Sequence, residues 1–343
     1  MIGLSVRAVG ALMLGLASVV AARADSVADF YRGKTVEVYV GYSTGGGYDI
    51  YARMLARHMG RFIPGNPTLL PKNMEGAGSL RLANWLANAA PRDGSAFGTI
   101  GRGTAFDPVL GQPGAQFTAG DLSWIGSMNH EVSICASWET SGIAKFEDLL
   151  TRELLVGAVS NNDDTGQFAK VMNSVLGTRL KIVAGYPGGN DVVLAMERGE
   201  VQGRCGWSWS GVKAERRQWV DSGMISIVIQ LALSKHRGLP DVPLIMDLAQ
   251  TDEQKQMLRL VLARQPLGRP FYAPPDVPAE RAEALRQAFM ATMRDPDFQA
   301  AAGKAQLEIN PLSGADIAAI VKDVFANTSP QVVARTKELL ARN

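Results

Sequence analysis

Charge of one sign, histidine, cysteine and long apolar runs are all scarce in this chain. Its 35 basic residues face 33 acidic ones, and bulk attraction to nucleic acid or anionic lipid needs a basic excess, so neither is expected as a partner. The histidines are His58, His130 and His236 and the cysteines Cys135 and Cys205; none stands at a metal-ligand spacing, and no metal or cofactor is expected. No apolar run beyond residue 24 approaches the roughly 20 residues that a membrane span needs. Repeats and low-complexity tracts are missing too, which sets aside solenoids and disordered linkers.

What is present starts at the amino terminus. Arg7, an apolar run from Ala8 to Ala22 and the string Ala22-Arg23-Ala24 read as an export signal over residues 1–24, cut before Asp25. An uncleaved membrane anchor is the other reading, and the run is short for it. Cleavage takes away Arg7 and Arg23 and leaves 319 residues with 33 basic against 33 acidic side chains, so any anion must be held by local geometry. A chain of that length exceeds one usual core and is expected to form two lobes. In an oxidising compartment Cys135 and Cys205 can pair; two separate apolar thiols are the alternative.

Short β-branched runs alternate with helical patterns, the signature of βαβ units and an α/β fold with mainly parallel sheets. Strands are expected at Thr35–Val40, Thr68–Lys72 and Ala96–Ile100, with helices at Tyr48–Gly60 and Leu80–Ala90. Each strand ends on a loop of small residues: Gly41 to Asp49, Glu75 to Ser79, and Gly101-Arg102-Gly103-Thr104. Three such loops put backbone N–H groups, including those around Gly78, Ser79, Arg102 and Thr104, on one sheet edge, where ligands sit in open α/β sheets. The pattern restarts near Ile134. Strands follow at Leu154–Val159, Lys181–Ala184, Val201–Cys205 and Ile225–Leu231, with helices at Gln167–Leu176 and Asp191–Arg198. Tail helices are expected at Ala279–Met293, Gly314–Ala326, capped by Ser313, and Pro330–Leu340.

The turn Gly41-Tyr42-Ser43-Thr44-Gly45-Gly46-Gly47-Tyr48-Asp49 joins a strand to a helix, so its N–H groups and the positive helix end can grip one carboxylate. It lacks the GxGxxG spacing of dinucleotide sites and the Gly-Lys-Ser/Thr of phosphate loops. Gly41 to Gly45 does match G-x-S-x-G, the nucleophile elbow of α/β-hydrolases. A secreted serine hydrolase using Ser43 is therefore the competing function, although one strand precedes the turn and His236 is the only late histidine. A plain strand-to-helix connection is the third reading.

The order of these strings resembles the Bug family, the periplasmic receptors of tripartite tricarboxylate transporters, over the whole mature chain. Gly45, Gly46, Asp49, Ala52 and Arg53 stand where the family has its Pro-Gly-Gly-x-x-Asp turn and Ala-Arg helix; Gly41 and Thr44 replace its prolines. Further matches in order are Gly76-Ala77-Gly78, Pro91-Arg92-Asp93-Gly94, Tyr186-Pro187-Gly188, Pro240-Asp241-Val242-Pro243 and Ala273-Pro274. The resemblance implies a two-lobed Venus-flytrap fold, type II-like, that is not an enzyme. It implies a monomer in the periplasm that captures a small organic carboxylate and hands it to two integral-membrane subunits. Lobe 1 is expected to be 25–130 with 232–343, and lobe 2 to be 131–231.

The ligand is expected against Tyr42, Ser43, Thr44, Gly45, Gly46 and Asp49 of the first turn, and Gly78, Ser79, Arg102 and Thr104 beside it. From lobe 2 the expected contacts are Ser160, Asp163, Asp164, Thr165, Tyr186, Arg204 and Trp207. There the chain departs from the family's Ser-x-Gly-x-Gly-Ser pattern and places two carboxylates, Asp163 and Asp164. They either cap the following helix or read a hydroxyl, amide or amine. Strand alternation sends Trp207 and Trp209 to one side, where they line the cleft or pack in the core.

Overall fold

The structure, a computed structural model, describes residues 27–118, 120 and 122–341. The expected export signal and its cleavage point lie outside the described residues. No helix among the described residues is long and apolar enough to cross a membrane.

In chain order the strands are β1 (Thr35–Val40), β2 (Thr68–Asn73), β3 (Ala96–Thr99), β4 (Ser123–Ser127), β5 (Ser133–Trp138), β6 (Leu154–Ala158), β7 (Leu180–Ala184), β8 (Gly203–Ser208), β9 (Ile225–Leu231), β10 (Pro270–Ala273) and β11 (Leu312–Ser313). They form two sheets, ordered β11-β4-β10-β3-β1-β2 and β7-β6-β8-β5-β9. The two sheets share one plan. Three parallel strands lie side by side, and the first strand after each crossing of the chain, β10 or β5, enters antiparallel beside them. The expected mainly parallel sheets are therefore mixed: β10 runs against both β3 and β4, and β5 against both β8 and β9.

Alternation drives β1, whose Val36, Val38 and Val40 are buried while Thr35 is exposed. Helix Gly47–Met59 follows, turning Tyr51, Ala52, Leu55 and Met59 into the core beneath the sheet. Helix Gly314–Asn327 starts where Ser313 was expected to cap it, with a reciprocal hydrogen bond from Asp316. Strand β8 starts two residues later than expected and carries a bulge: its register against β5 shifts between Ile134 and Ala136, and Gly206 has φ +66°. Cys135 and Cys205 form a disulfide beside that bulge.

The segment after β9 serves both halves. Strands β10 and β11 complete the first sheet, whereas helices Asp252–Leu262 and Pro330–Ala341 pack on each other, and the latter lies against helix Asp164–Val171. Lys170 Nζ donates to the Leu340 carbonyl at 2.9 Å. One apolar core joins Leu154, Val156 and Phe168 on the second side to Leu258, Val261 and Leu340 from this segment.

Candidate functional site

The loops after β1, β3, β6, β7 and β8 face one another across the gap between the sheets and line a cavity of about 60 Å³. One wall is Tyr42, Gly46, Gly47, Tyr48, Arg102 and Arg269; the other is Val159, Asp163, Asp164, Thr165, Gly189, Asn190, Arg204, Gly206, Trp207, Ser208, Gly211 and Glu215. The lobes are closed over it. Ser43 Oγ donates to Asp191 Oδ2 at 2.6 Å, Arg102 Nη2 donates to Ser133 Oγ at 2.7 Å, and Arg102 Nε lies 2.6 Å from Asp164 Oδ2.

Three guanidiniums line the cavity and differ in how they are matched. Arg102, 2 % exposed, is paired with Asp164, whose other oxygen accepts from fully buried Arg264 at 3.0 Å. Arg269 donates to Ser208 Oγ and the Gly268 carbonyl, lies 3.4 Å from Glu131 Oε2, and sits over the rings of Tyr48 and Tyr51. Arg204 has far less. Its Nη1 donates to the Gly189 carbonyl at 2.9 Å, its Nε has no partner, and among the described residues no carboxylate pairs with it. Burial against the cavity wall pulls its pKa down to about 10, against the upward pull of Glu215 and Asp163. The group stays charged at neutral pH.

Glycine makes room for these cations. A Cβ on Gly189 would lie 2.2 Å from Arg204 Nη2, and one on Gly47 3.0 Å from Arg269 Nη2. The aromatic side is equally tight: Tyr42 and Tyr48 stack at 4.6 Å, Tyr48 Oη accepts from the Arg102 N–H, and the Arg204 guanidinium lies 5.0 Å from the Trp207 ring centre.

The two aspartates of the second lobe are spoken for. Asp163 is the N-cap of helix Asp164–Val171, accepting from the Thr165 and Gly166 N–H groups and from Thr165 Oγ1. Burial, opposed by the Thr165 bond and helped by Asp164, lifts its pKa to about 6. Asp164 is the anion between Arg102 and Arg264. The capping account holds for Asp163, and Asp164 is an ion-pair partner across the cleft.

Of the residues expected at the ligand, the structure brings Tyr42, Gly46, Arg102, Asp163, Asp164, Thr165, Arg204 and Trp207 to the cavity. Asp49 instead locks the turn from behind. Its carboxylate accepts from the Gly45 N–H at 2.9 Å, Arg53 Nε at 2.8 Å and Asn73 Nδ2 at 2.9 Å, and Asn73 also holds the Tyr42 carbonyl and Thr44 Oγ1. Gly45 lies in this braced turn, and Ser43 bonds to Asp191. Gly78 packs at Asp163, with room for no Cβ there. Ser79, fully buried with φ +76°, accepts from the Gly101 N–H at 2.8 Å and lies 3.2 Å from Thr104 Oγ1, so Ser79 and Thr104 tie two loops together. Ser160 and Tyr186 line a separate outer groove.

Sequence reasoning missed Arg269, Glu215, Tyr48 and Asn190. Arg269 is brought in by β10, a four-residue strand between proline-containing loops that gives little periodic signal. Trp209, expected beside Trp207, packs in the core near His236, because the chain leaves β8 for a helix at that residue.

No protein-family model matches the chain, and no curated protein sequence does. Solved structures match over nearly its whole length. The periplasmic binding protein BugD superposes with a TM-score of 0.71 at 18 % identity, covering 90 % of this chain and 98 % of its own. An R. palustris protein solved with adipate gives 0.69 at 17 %, covering 89 % and 97 %. MatC from Rhodopseudomonas palustris, solved with bound malate, gives 0.68 at 16 %, covering 90 % and 99 %. The resemblance drawn from the ordered motifs holds at the level of fold: this chain has the two-lobed α/β architecture of the periplasmic binding proteins of the Bug and TctC kind, closed over an arginine-lined cavity.

Proposed function

We propose that the chain is an exported, periplasmic solute-binding protein that closes its lobes over a small organic carboxylate and presents it to two integral-membrane subunits of a tripartite tricarboxylate-type transporter. It acts as a monomer without chemistry of its own. Residues 25–130 with 232–343 form lobe 1 and 131–231 lobe 2, the tail helices reaching back across. Arg204 carries the reading: a half-buried guanidinium with one carbonyl partner, lining the cavity between the lobes, is a site kept for an anion. The N–H groups at Gly46–Gly47 and Gly189–Asn190, each opening a helix beside the cavity, supply further donors. That two structures of this fold hold adipate and malate supports the carboxylate class.

The test is a thermal-shift series of small organic acids followed by calorimetry. A ligand at about a hundred times its dissociation constant stabilises by about 2.7 kcal/mol, and Arg204→Gln is expected to abolish the shift. A series in which no acid raises the melting temperature refutes the reading. The hydrolase alternative has little to stand on. Ser43 Oγ donates to Asp191, and among the described residues no imidazole bonds to it. Labelling of Ser43 by a fluorophosphonate probe, lost in Ser43→Ala, reverses that judgement.

A further inference from the structure

Every carboxylate around the cavity but one is matched. Asp163 is consumed by the helix cap, Asp164 by Arg102 and Arg264, and Glu131 by Arg269, Ser210 and the Val132 N–H. Glu215, at the carboxyl end of helix Trp209–Glu215, lines the same cavity, and among the described residues nothing hydrogen-bonds or ion-pairs with its side chain. Arg204 faces that cavity with its Nε unpartnered. The two opposite charges interact through space, no ion pair joins them, and both line the one cavity.

We infer that Glu215 sets the specificity of the cavity, receiving a hydrogen-bond-donating substituent, ammonium or hydroxyl, on a ligand whose carboxylate lies on Arg204. The inference rests on the carboxylate-binding reading and goes beyond it by naming the second recognition element. A hydroxy- or amino-carboxylate completes both groups. A plain monocarboxylate leaves Glu215 without a partner in a closed site, and a symmetric dicarboxylate sets like charge against it. Arg269 is the poorer partner for that second carboxylate, since Ser208, Ser210, Glu131 and the Gly268 carbonyl already engage both of its terminal nitrogens. Burial, moderated by Arg204, Arg216 and Arg269, raises the Glu215 pKa. Burial therefore penalises this charge, as expected of an acid that a ligand's donor would satisfy.

Matched trios test the idea: propionate, lactate and alanine; butyrate, 3-hydroxybutyrate and 4-aminobutyrate; succinate, malate and aspartate. Calorimetry is run on the wild type, Glu215→Ala, Glu215→Gln and Arg204→Gln, with the melting temperature of each unliganded variant recorded. In at least one trio a substituted member is expected to bind about tenfold tighter than the unsubstituted one, or more. Glu215→Ala is expected to erase that preference while sparing the unsubstituted acid. Glu215→Gln, nearly isosteric, retains a hydroxyl and loses an ammonium, which identifies the donor. Equal affinities within every trio, or a preference that survives Glu215→Ala, overturn the inference while leaving carboxylate binding intact. Failure of every acid to bind the wild type overturns both.

Discussion

Replacing Asp164 by alanine removes the anion that joins the two walls of the cleft. In the closed structure Arg102 and Arg264 are 2 % and 0 % exposed, and this carboxylate lies 2.6 Å from the first and 3.0 Å from the second. Taking one partner from a buried ion pair costs about 3–5 kcal/mol if the surroundings stay as they are. Here they need not, because opening the lobes returns Arg102 to water. The loss then appears as a shift toward the open form, and apparent affinity falls with the closed fraction. A net shift of about 1.4–2.8 kcal/mol, a discount for that escape, gives a tenfold to hundredfold weaker dissociation constant. Calorimetry with the tightest acid of the matched trios measures it, and solution scattering on the unliganded protein should show a larger radius of gyration than in the wild type. Unchanged affinity together with an unchanged radius refutes the assignment of Asp164 as a closure contact.

Three further outcomes follow from the same contacts. Asp163→Asn keeps a good N-cap but cannot titrate; since the folded pKa of about 6 lies above the unfolded value near 3.8, wild-type stability falls as pH rises from about 4 through 6, and the variant should lose that slope and match the wild type within about 1 kcal/mol at pH 7 by urea unfolding. Asp49→Ala breaks the bonds to Gly45, Arg53 and Asn73 and should cost about 1.5–3 kcal/mol at pH 7. Burial alone pulls the Asp49 pKa up, but Arg53, the Gly45 N–H and Asn73 together hold it below the usual value, so its contribution is present above the ordinary aspartate pKa and fades as pH falls; a deficit that persists undiminished in acid contradicts this. The Cys135→Ser, Cys205→Ser double variant, whose bond closes a 70-residue separation, should lose about 2–4 kcal/mol in urea, and an unchanged midpoint counts against a stabilising role.

The fold was legible wherever a pattern ran long enough. Val36, Val38 and Val40 alternate into the core, and Thr35–Val40 and Ile225–Leu231 are strands over the expected residues. The missed strands are β4, β5, β10 and β11, and all four take their places through antiparallel pairing. Such strands owe their place to partners far along the chain: Phe271 pairs with Thr99, and Pro270 with Ser127. No local string carries that information, so the sheets read as mainly parallel when they are mixed.

The site divides along the same line, between what backbone geometry dictates and what charge pairing decides. A glycine-rich loop between strand and helix is legible as a row of N–H donors because the chain itself fixes them, and Gly46 and Gly47 line the cavity. The role of a charged side chain depends on which opposite charge reaches it first. Asp163 and Asp164 were conspicuous as replacements for small residues, yet one is taken by its own helix and the other by arginines about 60 and 100 positions away. Glu215 drew no attention in a helix of ordinary composition, and it is the acid left over. Arg102, Arg264 and Arg269 each find a carboxylate; Arg204 and Glu215 line one cavity without touching. The specificity proposed for this cavity rests on the remainder after internal pairing, and that remainder is countable only when every partner has been placed.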